Sequence, residues 1–181
     1  NQHKVWAISR NKKPITQLNL PNVTSSTLDL TDEAAVVAWS QNMAPDIIDA
    51  LINNAGKLLN KPFADTQQSD FETVFRVNVF GLANITRALL KKLQPGGHVV
   101  NISSMGGIGG TLKFPGLAAY SSSKGAVSIL TELLAEEFKE SGPTVNALAL
   151  GAVQTEMLTE AFPDLEVPMT AANMADYIAK F

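Results

Sequence analysis

The chain has no cysteine among its 181 residues, which excludes a disulfide framework and a thiolate metal site. Histidine is almost as scarce. His3 and His98 stand far apart, so a histidine-based metal cluster is not expected and no metal ligands are assigned. No excess of positive charge is present either: 14 basic side chains face 17 acidic ones, the isoelectric point is near 5.4, and no basic stripe suited to neutralising phosphates occurs. Nucleic acid is therefore not an expected partner. No apolar run is long enough for a bilayer span, and Asn1 to Lys4 opens without the basic-then-apolar pattern of a secretory leader. The expectation is a cytoplasmic protein with no membrane partner. With 12 Gly and 9 Pro the chain is neither collagen-like nor of low complexity.

What is present is an ordinary globular composition, 45% hydrophobic and 17% charged, with a mean hydropathy of +0.07. A chain of this size buries roughly 70% of the surface its unfolded form exposes, so one core suffices. A single domain over residues 1–181 is expected. Short β-branched and aliphatic runs alternate with longer segments of helical period, the pattern of βαβ units and a parallel sheet. Strands are expected at Lys4 to Ser9, Thr24 to Asp29, Ala50 to Asn53, His98 to Ser103 and Thr144 to Leu150. Helices are expected at Asp32 to Met43, Ser69 to Leu93, Ala119 to Glu140 and Ala171 to Lys180.

The second of these helices opens with Ser69 and, three residues on, Glu72, which reads as a capping box. Its core stripe runs Phe71, Val74, Phe75, Asn78, Leu82, Ile85, Leu89 at spacings of three and four. Asn78 is out of character there, since a buried amide left without partners costs about 1–3 kcal/mol. It is either a structural tie to a neighbouring strand or a functional group. Tyr120 and Lys124 lie one turn apart on one face of the next helix, as an ordinary surface pair or as partners in chemistry. Ser103 and Ser104 end a strand, where ligands bind in parallel sheets, although a serine there also closes strands as a turn residue.

Other chemistries lack their motifs. There is no Gly-x-Ser-x-Gly elbow and neither histidine is placed as a triad partner, so serine hydrolase chemistry is unsupported. The glycines at 106, 107, 109 and 110 precede irregular sequence and no helix, unlike a phosphate loop. The stretch Met105 to Gly116 reads as a mobile or substrate-side loop, or as a connection without function.

Taken in order, Asn53-Asn54-Ala55-Gly56 after a strand, Val77-Asn78-Val79-Phe80-Gly81 within a helix, Asn101-Ile102-Ser103-Ser104 at a strand end and Tyr120-Ser121-Ser122-Ser123-Lys124 opening a helix resemble the short-chain dehydrogenase/reductase family. The resemblance implies an α/β fold, a Rossmann-type doubly wound parallel sheet with helices on both faces. It also implies an oxidoreductase that moves a hydride between a nicotinamide dinucleotide and a small-molecule carbonyl or alcohol.

On that resemblance Asn78, Ser104, Tyr120 and Lys124 form the catalytic set. Tyr120 would be the general acid or base, and its free pKa of about 10 calls for the nearby Lys124 cation. Lys124 would also hold the nicotinamide ribose, Ser104 would orient the substrate oxygen, and Asn78 would join a proton relay through Lys124 and a water. Tyr120 and Lys124 thus belong to the cofactor site as well. Asp29 and Leu30 would contact adenine, Asn54, Ala55 and Gly56 the adenosine ribose region, and Gly151, Val153 and Thr155 the nicotinamide. Ser9-Arg10-Asn11 offers a cation and no acid after the first strand, which favours NADP(H) over NAD(H) through Arg10. A homodimer or homotetramer pairing the two long helices is the expected assembly, with Val77 and Leu90 as examples of their second apolar stripe.

The chain departs from the family pattern in four places. Leu150 stands where the family has Pro, and the spacing from Ser104 to Tyr120 is longer by a few residues. The glycine-rich pyrophosphate turn would precede Lys4 and is not in the sequence, and the last strand of the family would follow its end. The expectation is a domain truncated at both ends, with a gap in the sheet where the family's first strand would pair. A non-catalytic relative that senses a ligand or binds a partner is the alternative function. Epimerisation or dehydration with a retained nicotinamide is a third.

Overall fold

Every strand pairing in this computed structural model is parallel, as the alternation of aliphatic runs and helical segments requires. The structure describes residues 3–181. β1 (Val5–Ser9) leads through the short helix α1 (Lys13–Gln17) to β2 (Val23–Thr27), then α2 (Glu33–Asn42) and β3 (Ile48–Asn53). Next come α3 (Gln68–Phe75), a π-helical turn over Arg76–Gly81, α4 (Leu82–Leu89) and β4 (Leu93–Ser104). α5 (Ala118–Phe138), β5 (Thr144–Leu150), α6 (Glu156–Ala161) and α7 (Ala171–Lys180) complete the order. This is the expected Rossmann-type α/β architecture.

The described strands form two sheets, β1-β2 and β3-β4-β5, with no pairing between β1 and β3. The break falls where the gap was expected. Exposed Val5 on β1, and exposed Ala50 and Ile52 on β3, mark it on both sides. One helical layer spans the break. Val36 and Trp39 of α2 with Ile85 and Leu89 of α4 pack against Trp6 and Ile8 from one sheet and Ile48 and Leu51 from the other. α5 covers β4 and β5 on this face through Val99, Val145, Leu134 and Phe138. On the opposite face Ile178 of α7 packs on Val100, Ile102 and Leu148, so helices flank the β3-β4-β5 sheet on both sides. The period-two alternation of strands assigns Val99 and Val100 to these two faces. Among the described residues no helix is long and apolar enough to cross a membrane.

Several local expectations need correction. The capping box belongs to Gln67 and Asp70 and not to Ser69 and Glu72, because the extended residue before the helix is Gln67. The helix expected over Ser69 to Leu93 is not uniform: the π turn widens it at Asn78, and a 3₁₀ turn replaces its end at Leu90–Lys92. The widening keeps Val74, Asn78 and Leu82, each four apart, buried in one stripe where an unbroken α-helix drifts. α6 lies outside the expected helices, and the Thr155 hydroxyl caps it by accepting from the Leu158 amide. Val77 and Leu90 are half-buried, and the long helices instead present Phe80, Ile129 and Leu133 outward.

Candidate active site

The site forms where β3 and β4 end and α5 begins, with the π turn closing it from one side. Its foundation is a buried polar ladder. Asn53 on β3 donates to Thr86 of α4 at 2.9 Å and to Asn101 of β4 at 2.8 Å, and Asn101 donates to Thr131 of α5 at 2.9 Å. All four side chains are buried and all are partnered, so the ladder holds two strands and two helices in one register.

The first turn of α5 lies on this base. Ser103 donates to the Lys124 carbonyl at 2.9 Å and bonds Ser128, which makes it a structural serine. Ser104, half-buried, turns the other way: its hydroxyl accepts from the Gly106 amide at 3.2 Å and hydrogen-bonds Tyr120. Burial pushes the Tyr120 phenol above its ordinary value, and the Ser104 hydrogen bond offsets this only in part. The expected lowering by Lys124 does not dominate here. The Lys124 ammonium donates to the Ile102 carbonyl at 2.7 Å and lies 5.8 Å from the Tyr120 ring centre. Burial brings Lys124 itself down to about 8.

Asn78 is 1% exposed and has partners on three sides. Its Oδ1 accepts from the Lys57 amide at 2.6 Å, and its Nδ2 donates to the Lys57 carbonyl at 3.0 Å and to Ser123 at 2.8 Å. Asn78 therefore ties its helix to the loop after β3 and to the first turn of α5. A Cβ on Gly56 would lie 3.5 Å from Asn78 Oδ1 and 3.6 Å from Lys124 Nζ, so the Gly56 backbone faces both polar groups.

The Met105 to Gly116 stretch is folded, not loose. It starts as a 3₁₀ turn, and Thr111 and Lys113 clasp the carbonyls of Met105 and Ile108. Gly107 presses on α5, where an added Cβ would meet Gly125 N and Lys124 C, each at 2.6 Å. Asn60 joins three segments: it donates to Ala161 of α6 at 2.7 Å, and the neighbouring Lys61 amide donates to the Gly116 carbonyl at 2.9 Å.

The remaining expected cofactor residues are spread along the strand ends. Asn54, Ala55 and Gly151 are exposed, and Val153 is half-buried. Thr155 serves α6 as its cap. Arg10 follows β1 and is exposed; its charge reaches Asp29 at the end of β2. Two hydrogen bonds from Thr31 hold the Asp29 carboxyl below its usual range, with Arg10 adding a smaller effect. Leu30 packs under Gly81, and its carbonyl accepts from Asn84. Sequence reasoning assigned no role to Asn53, Asn101, Gly107 or Ser123. The two asparagines were detectable as amides inside aliphatic strands, whereas Gly107 and Ser123 gain their meaning only from contacts distant in sequence.

A family profile described as short chain dehydrogenase matches residues 1–166. The chain belongs to this family. Among its relatives, carbonyl reductase [NADPH] 2 of Sus scrofa is 34% identical over 170 residues, covering 91% of this chain and 67% of that protein. Cyclopentanol dehydrogenase of Comamonas sp. (strain NCIMB 9872) is 36% identical over 128 residues, 70% of this chain. The chain spans about half the length of that relative, 49%. In solved structures, the closed form of serine dehydrogenase complexed with NADP+ superposes with a TM-score of 0.85 at 23% identity, covering 99% of this chain and 79% of that one. The structure of ElxO with NADP bound gives 0.77 at 28% identity, covering 97% and 79%.

Proposed function

We propose that the protein is an oxidoreductase that transfers a hydride between NADP(H) and the carbonyl or alcohol of a small molecule, and that residues 1–181 act as a single nucleotide-binding domain. The observation that carries this reading is the meeting of Tyr120, Ser104, Lys124 and Asn78 at the ends of β3 and β4, beside Gly56. Two relatives bear names of the same chemistry, a carbonyl reductase and an alcohol dehydrogenase.

A bound nicotinamide supplies the hydride in reduction and accepts it in oxidation. Lys124 and Tyr120 hold its ribose, Asn54, Ala55 and Gly56 the adenosine side, Gly151, Val153 and Thr155 the nicotinamide turn, and Asp29 and Leu30 the adenine. Arg10, exposed and with no carboxylate in its own turn, suits a 2′-phosphate and supports NADP(H) over NAD(H). A relative at 28% identity solved with NADP points the same way.

The substrate oxygen accepts from Ser104 and from the Tyr120 phenol. Because burial raises the phenol's pKa, Tyr120 carries its proton at neutral pH and is ready to donate it to a carbonyl oxygen. Oxidation needs the phenolate and speeds up at alkaline pH. Lys124, charged below about 8, stabilises the negative charge that remains on Tyr120 after donation. The outward Phe80, Ile129 and Leu133 on the two long helices suit self-association.

The test is a fluorescence titration of the full-length protein with NADPH and NADH, followed by reduction of a panel of aldehydes and ketones. NADPH is expected to bind more tightly than NADH, with the preference lost in Arg10→Ala. Tyr120→Phe is expected to retain binding and to lose at least about a hundredfold in reduction rate. Failure to bind either nucleotide overturns the reading.

A further inference from the structure

We infer that Ser123 is a positioning residue that sets Asn78 for the reaction, linking the π turn to the catalytic turn of α5. The inference rests on the catalytic reading of Asn78, Tyr120 and Lys124 given above. Ser123 lies between Tyr120 and Lys124 in sequence and is 0% exposed. Its single hydroxyl proton goes to the Tyr120 carbonyl at 2.6 Å. With that proton committed, the oxygen faces Asn78 as an acceptor and takes an Nδ2 hydrogen at 2.8 Å.

The hydrogen inventory of Asn78 shows what this bond achieves. One Nδ2 hydrogen is used by the Lys57 carbonyl and the other by Ser123, while Oδ1 accepts from the Lys57 amide. Every donor is satisfied, and Oδ1 keeps one lone pair near the Gly56 position, close to the Lys124 ammonium. Ser123 thereby anchors this amide to the helix that carries the proton donor and its cation. Removing the hydroxyl orphans an amide hydrogen in a buried place, and the amide then turns to find another partner. A serine that only bonds back to a carbonyl of its own helix is satisfied without Asn78. The two roles predict different couplings.

The test is a double-mutant cycle on the full-length protein, because contacting residues that act together are non-additive. Ser123→Ala is expected to lower kcat about tenfold, with KM for the nucleotide unchanged. In an Asn78→Ala background the same substitution is expected to change kcat less than about twofold. A full tenfold loss in both backgrounds overturns the inference. A second readout needs no turnover: hydrogen exchange of the Asn78 side-chain amide, followed by NMR, is expected to speed up in Ser123→Ala. Unchanged exchange overturns the contact itself. If the parent protein shows no oxidoreductase activity, the functional reading fails, and amide exchange still decides whether Ser123 holds Asn78.

Discussion

The β3-β4-β5 half and the β1-β2 half are held together by different forces. In the first, buried polar groups bond one another: Asn53, Asn101, Thr86, Thr131, Asn78, Ser123, Ser103, Ser128 and Lys124 are all buried and all partnered. In the second, the side-chain hydrogen bonds of Asn11, Thr16 and Thr31 are exposed, and β1 and β2 are attached through Trp6, Ile8 and Leu28 packing on α2 and α4. Directional bonds in a low dielectric fix atoms to a fraction of an ångström, as the proposed proton transfer requires. Apolar packing fixes an element and tolerates small shifts, which suits a surface that, on the proposed reading, only has to grip a nucleotide. Damage to the first half should therefore appear in chemistry, and damage to the second in stability.

The largest expected effect is in the packed half. Trp39 is buried in the cluster that bridges the two sheets, so Trp39→Ala is expected to cost about 3–5 kcal/mol in equilibrium denaturation. Its indole Nε1 has no partner among the described residues, and such a group costs about 1–3 kcal/mol. Trp39→Phe removes that burden together with some volume, and its net change is expected to stay within about 1 kcal/mol. A small loss in Trp39→Ala would mean that the β1-β2 half is held by something other than this cluster.

The next effect falls on the bonded half. Gly107→Ala places a methyl group against the backbone of Lys124 and Gly125, and neither side is a flexible chain end. Overpacking of this kind costs about 1–3 kcal/mol. Because the clash is one residue from Ser123, activity is expected to fall further than the stability loss explains. Melting curves run beside reduction rates check this, and equal losses in both would blur the distinction between the halves.

Legibility in the sequence follows the same divide. The parallel α/β order was readable because alternation and helical period are local, and Asn78 was readable because an amide interrupts an apolar stripe. Tyr120 and Lys124 were readable as a one-turn pair. The 105–116 stretch was not, since its shape comes from Thr111 and Lys113 reaching carbonyls and from Gly107 meeting α5, none of which has a period. The π turn was hidden for a related reason: it changes the winding of Arg76–Gly81 without changing composition. α1 and α6 carried usable signals, Pro14 in a first turn and Thr155 followed by Glu156, but both helices are too short for periodicity to register.

A smaller effect separates the halves by pH. Burial depresses Lys124 to about 8, so between that value and its unfolded value near 10.4 the unfolded chain binds one more proton than the folded one. Stability from this group therefore rises with pH in that window, by up to about 1.4 kcal/mol per unit. Tyr120, raised above its ordinary value, acts in the opposite direction above about 10. Denaturation midpoints measured from pH 7 to 10 are expected to show the rise in the parent and to lose it in Lys124→Met. A rise that persists in the variant would place its source outside the first turn of α5.

The smallest effect is expected where the packed half displays its most visible ion pair. Arg87 of α4 meets Glu33 of α2 across the same helix contact that Trp39 fills, yet both side chains are about two-thirds exposed, 66% and 64%. Water screens such a pair and ordering two long side chains opposes it, so Glu33→Ala is expected to cost under about 1 kcal/mol. The same substitution at 0.5 M salt should cost less still, since screening removes what attraction remains within about one Debye length. A loss comparable to that of Trp39→Ala would show that charge, not apolar contact, joins α2 to α4, and the contrast between a bonded half and a packed half would then have to be redrawn.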